Sequence, residues 1–207
     1  MKISLIALFL LILTGCALMP QPTPPIAIYD LGLTPEHAES SVTKQSLSQL
    51  PSLFITDITS PVWLDNQAIH YRLAYHNPAQ IYSYANSRWA AAPAALLTRQ
   101  INNHIKANTE YKIVSSVDGA QAEYALHAVL EDFSQIYEAT DKSHANIHLN
   151  VTLIERRTRS LRAQRKFIIH KAASTTNAAG AVYALIEASN QLNHEVTDWL
   201  TNELAAK

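Results

Sequence analysis

Glycine, cysteine and surplus charge are what this chain has least of. Its 207 residues include four glycines, one cysteine, and 16 Lys and Arg against 17 Asp and Glu. Gly15, Gly32, Gly119 and Gly180 are isolated from one another. Neither a phosphate-cradling loop nor a dinucleotide fingerprint can be built from them, because both need clustered glycines for close backbone approach. If the chain serves an energy-driven process, the nucleotide is hydrolysed on another polypeptide. The single Cys16 excludes an internal disulfide and any CxxC redox or zinc motif. The balanced charge offers no basic excess for nucleic acid and no steering field. An apolar share of 48% excludes wholesale disorder.

Long apolar runs are scarce too, with one exception at the start. Ile3 to Leu13 is apolar but for Ser4 and follows Lys2 and the amino terminus. As a helix it would reach about 16 Å at ~1.5 Å per residue, roughly half the hydrocarbon thickness, so it reads as a removable secretory signal. The run ends in Leu13-Thr14-Gly15-Cys16. Small Gly15 admits a peptidase, and Cys16 supplies a thiol. The tetrapeptide resembles the bacterial lipobox, which implies a Cys16 linked to diacylglycerol, freed as the first residue and then N-acylated. Three acyl chains would fix the protein to a leaflet, at ~0.8 kcal/mol per buried methylene. Ala17 stands where enterobacterial lipoproteins kept at the inner membrane carry Asp. The expected location is therefore the outer membrane, lipid-anchored and facing the periplasm.

Three segments follow from this reading: residues 1–15 as signal peptide, 16–25 as lipidated Cys and Pro-rich tether, and 26–207 as a single domain. Pro20 to Pro25 favours extended polyproline II and holds the body a short way off the membrane. Strands are expected at Ile26–Leu31, Leu53–Ile58 and Ala68–Tyr75, with Thr34–Gln49 a loop. Asn77-Pro78 reads as a turn before a return strand around Ile81–Tyr84. Pro93 opens a helix with Leu97, Ile101 and Ile105 on one face. After a short strand at Tyr111–Val114 comes a long three-strand meander. Its middle strand alternates Ala145, Ile147, Leu149, Val151 and Leu153 with His144, Asn146, His148, Asn150 and Thr152, the pattern of a half-buried antiparallel strand. A C-terminal helix over Thr176–Leu204 carries a seam of Val182, Leu185, Ser189, Leu192, Val196 and Trp199. The expected fold is α+β, a mainly antiparallel sheet packed by a middle helix and a long C-terminal helix.

Pro61-Val62-Trp63-Leu64-Asp65, Ile69-His70-Tyr71-Arg72, Tyr84 and Arg88-Trp89-Ala90 ahead of Pro93 resemble the signature of the ABC-type transport auxiliary lipoprotein family. Tyr29-Asp30-Leu31-Gly32 resembles the family's opening Tyr-x-Leu-Gly. The resemblance implies an auxiliary component that accompanies an MCE-domain protein and, through it, an ABC permease and ATPase. Such systems move lipids or other hydrophobic compounds between membranes, and this chain would dock the MCE conduit at the outer membrane. Aromatics and arginine are enriched at interface hot spots, which nominates Tyr71, Arg72, Tyr84, Arg88 and Trp89 as a partner surface. The bland alternative makes the aromatics core and pairs the arginines locally.

A periplasmic lipid or small-hydrophobe carrier needs the same apolar interior and stays open as a rival, as does assembly into a homo-oligomer. A lipid-anchored hydrolase is a weaker one, since no Gly-x-Ser-x-Gly elbow is present. Glu131 and Asp132 are adjacent, hence expected on opposite faces of their strand. No cofactor or metal is expected: His144 and His148 would stand about 13 Å apart along a strand at ~3.3 Å per residue.

Overall fold

The computed structural model describes residues 25–32, 50–114 and 121–205. The expected loop at Thr34–Gln49, the signal peptide, and Cys16 lie outside the described residues. The strands are β1 (Ala27–Tyr29), β2 (Ser52–Ile55), β3 (Ala68–Leu73), β4 (Asn77–Trp89), β5 (Lys112–Val114), β6 (Tyr124–Ala139), β7 (Lys142–Glu155) and β8 (Ser160–Ala172). The helices are α1 (Pro93–Asn108) and α2 (Ala178–Ala205).

The long meander β6-β7-β8 is the frame of the molecule. Leu126, Leu130 and Phe133 on β6 stand opposite Leu153, Leu149 and Ile147 on β7, and Phe167 and Ile169 continue the row on β8. These side chains are all but fully buried, and they join one apolar cluster with both helices. Each such burial stabilises by ~1.5–3 kcal/mol against an exposed side chain. The predicted seam of α2, Val182 through Trp199, is buried at every position. It packs on β6, β7 and β8, and α1 packs beside it.

Local chemistry sets the helix boundaries. Asn177 Oδ1 accepts the Gly180 N–H at 3.0 Å and caps α2. Gly180 is required there: a Cβ on it would meet the Thr175 carbonyl oxygen at 2.0 Å. Gly32 is required for a different reason. Its φ of 84° lies in the left-handed region, held by the Asp30 carboxylate accepting its N–H at 2.8 Å.

Two expectations need correcting. The sheet is mixed rather than mainly antiparallel: four of the seven strand pairings are parallel, β1 on β4, β2 on β5, and both β2 and β3 on β6. β2, the Thr59 bridge and β3 lie end to end along the edge of β6 that faces away from β7. Alternation within a strand reports which face is buried but not which way the neighbour runs, so the pattern could not reveal this. The second correction is smaller. The β3–β4 turn falls at Ala74–His76, and Asn77-Pro78 begins β4, where a proline disturbs no ladder.

Candidate functional site

The aromatic nucleus of the expected partner surface sits where β3, β4 and β6 come together. Tyr71 stands opposite Tyr82 on β4 and opposite Gln135 on β6, so one face receives side chains from three strands. Tyr71 stacks on Tyr82 at 5.2 Å between ring centres, tilts against Tyr84 at 4.8 Å, and meets Tyr137 edge-on at 5.7 Å. Tyr84 donates its hydroxyl to Gln135 Oε1 at 2.6 Å and lies 2.8 Å from the Tyr137 hydroxyl. Gln135 is fully buried and donates onward to Ser143 Oγ at 2.7 Å. Burial pushes the Tyr84 phenol far up, so it stays neutral and acts as a hydrogen-bonding strut.

The five nominated residues are not brought together. Trp89 is fully buried, set edge-to-face on Phe133 at 5.6 Å. Its place is in the core, and it is withdrawn from the partner surface. Sequence spacing could not separate the two uses, because an aromatic suits either environment. Tyr71 and Tyr84 share the face that also carries the helices. Arg72 follows Tyr71 directly in β3 and therefore points to the other face, where it lies over the Trp63 ring at 5.2 Å and donates to the Pro78 carbonyl oxygen at 3.3 Å. Arg88 is half-exposed in the β4 position paired with Ala68 and Ile28. Sequence reasoning missed Tyr137 and Gln135, which complete the cluster. They lie more than fifty residues downstream, and only the parallel β3–β6 pairing joins them to Tyr71.

The sheet face opposite the helices is polar and open. His144 and His170 rings lie 5.0 Å apart, and His148 lies 6.4 Å from His170. His144 Nδ1 sits 3.0 Å from Glu138. Burial lowers the pKa of His144 and His148, aided at His144 by the charge of His170. Burial lowers His70 as well. Glu131 and Asp132 correct another expectation. A bulge between Leu130 and Asp132 turns both onto this face, where Glu131 accepts from Asn150 and Lys166 and Asp132 from Ser134 and Asn146. The bond from Lys166 holds Glu131 below the usual carboxylate range, a poor setting for a general acid.

Open, partly polar grooves flank these elements among the described residues, one of them beside Glu138, His144 and His170. The largest, about 600 Å³, lies at the β7–β8 turn and is lined by Ala125, His127, Ile154, Arg156, Arg157 and Arg159 among others. Smaller ones run along the α1–α2 seam at His104 and His194, and beside the start of α1 at Asp57 and Arg99. No group of three or more metal-ligating side chains forms among the described residues.

Comparison with solved structures shows the same fold elsewhere. A Xanthomonas campestris protein of the DUF330 family superposes with a TM-score of 0.66 at 18% identity, covering 89% of this chain and 90% of its own. An uncharacterized protein gives 0.64 at 13% identity, covering 85% and 99%. A hypothetical protein of Chlamydia trachomatis gives 0.53 at 8% identity, covering 76% and 99%. No curated protein sequence matches the chain. A family model, described as the ABC-type transport auxiliary lipoprotein component, matches residues 29–197.

Proposed function

The chain belongs to the family of ABC-type transport auxiliary lipoprotein components, and from that premise we propose that it is the outer-membrane docking partner of an MCE-type ABC transport system. Acylated Cys16 anchors it in the inner leaflet of the outer membrane, facing the periplasm. The folded domain receives an MCE-domain protein, which connects it to a permease and ATPase in the opposite membrane. The cargo is a lipid or another hydrophobic compound. The observation that carries this reading is the family match over residues 29–197, most of the described domain. Arg72 and Arg88, half-exposed on β3 and β4, are proposed contact residues, with Tyr71 and Tyr84 bracing the strands behind them.

The interior supports an adaptor over a carrier. The space between helices and sheet is filled by Trp89, Phe133, Phe167, Leu97 and Leu149, each all but fully buried. A carrier would keep that space for its cargo. The test is affinity purification of the full-length chain from detergent-solubilised envelopes. Co-purification of an MCE-domain protein is expected, together with loss of outer-membrane fractionation on Cys16→Ser. Recovery with tightly bound lipid and no MCE-domain protein would favour the carrier.

A further inference from the structure

Charge along the chain is not evenly spread. Seven of the 16 basic side chains lie in residues 156–171, and none of the 17 acidic ones does. Whole-chain neutrality therefore hides a strongly basic β7–β8 hairpin set against a net acidic remainder.

The hairpin tip uses that charge in a specific geometry. Arg156, Arg157 and Arg159 are exposed and rim the groove whose floor includes Ala125 and Ile154. Arg156 lies over the Phe54 ring at 5.6 Å, which fixes its guanidinium at the groove edge. Among the described residues, the acids Glu123 and Glu155 beside the groove are engaged, Glu155 partly with a rim arginine. Glu123 accepts the Ser52 N–H at 3.1 Å, and Glu155 accepts the Thr158 hydroxyl at 2.9 Å while standing 3.5 Å from Arg157. Arg159 holds a φ of 56° at a turn position that glycine or asparagine adopts more cheaply. The turn therefore carries a charged side chain where conformational preference alone would place a small one.

We infer that the β7–β8 tip is a docking groove for an acidic extended segment of a protein partner. Three exposed guanidiniums on the rim, that of Arg157 shared with Glu155 at 3.5 Å, match successive carboxylates, with planar forks suited to bidentate pairing. A concave groove that sets Ala125 and Ile154 beside Gln121, Glu123 and His127 fits a peptide chain, whose alternate side chains enter it, better than the flat face of a bilayer. The position agrees. β1 is parallel to β4, β4 antiparallel to β3, and β3 parallel to β6. The described chain thus enters the sheet heading away from the end where β6 finishes, while the tip stands at the end where β6 begins. The groove faces forward, away from the side of entry. That the segment belongs to the transport partner rests on the function proposed above; the chemistry of the groove does not.

The test uses the full-length protein and two probes: a short labelled peptide of alternating Glu and Val, and vesicles of phosphatidylglycerol. The peptide is expected to bind in low salt and to weaken as salt rises. Combined Arg156→Gln, Arg157→Gln and Arg159→Gln should weaken it by about tenfold or more, with an unchanged melting temperature, and Arg159→Gln alone by a smaller factor. Lys142→Gln, at the other end of β7, should leave it unchanged. Peptide affinity indifferent to the three arginines overturns the inference. Arginine-dependent vesicle binding without peptide binding overturns it in favour of a membrane surface. Because the peptide replaces the partner, failure to recover an MCE-domain protein would strike the proposed function and leave this result standing.

Discussion

At the end of the sheet where β6 finishes, Tyr71 packs its ring against Tyr82, Tyr84 and Tyr137, and Tyr84 hydrogen-bonds both Tyr137 and the buried Gln135. At the end where β6 begins, three arginines stand in water around a groove, one of them on a left-handed backbone. Both regions carry residue types enriched at interfaces. The second leaves its guanidiniums exposed, although Arg157 stands 3.5 Å from Glu155. At the first, the Tyr84 and Tyr137 hydroxyls are bonded to each other, and burial pushes both of these phenols up. Side-chain identity alone does not mark a contact surface; what matters is whether the groups already have partners.

The largest effect should come from the buried side of the aromatic end. Trp89→Ala is expected to cost ~3–5 kcal/mol in unfolding free energy, read by chemical denaturation. A small cost with a large loss of partner capture would return Trp89 to the interface. Tyr84→Phe removes the donor to buried Gln135 and should cost ~1–3 kcal/mol while leaving the acidic-peptide affinity of the tip intact. If instead it changes binding and not stability, the contrast between the two ends fails.

Acidification should destabilise the polar face. His70, His144 and His148 have folded pKa values lowered from about 6.5, so the unfolded chain binds more protons just below that pH. Their contribution is complete above about pH 6.5 and is lost as pH falls through the lowered values. The melting temperature should decline from about pH 7 to about pH 5, and His148→Asn should flatten that decline. The smallest effect is the most diagnostic of the tip. Arg159→Gly relieves the left-handed backbone and should raise stability by about 1 kcal/mol or less, yet weaken acidic-peptide binding.

The residues that follow a single period were legible in advance. β7 reads as apolar and polar side chains in alternation, with every apolar one from Ala145 to Leu153 buried, and α2 reads as a seam, because each pattern is set within one element. Parallel pairing was not legible, since it depends on how distant segments meet. Tyr137 and Gln135 escaped notice for the same reason, as did the common face of Glu131 and Asp132, which a bulge creates. The basic hairpin was visible in the sequence but lost in averaging: net charge sums over the chain, whereas a partner meets one end of it.

The most direct test is a photo-crosslinking residue placed at position 159 of the full-length, acylated protein in intact cells. An adduct with an MCE-domain protein is predicted, absent when the same probe replaces exposed Tyr183 on α2. Adducts from position 159 with lipid alone, or with no MCE-domain protein, would contradict the account.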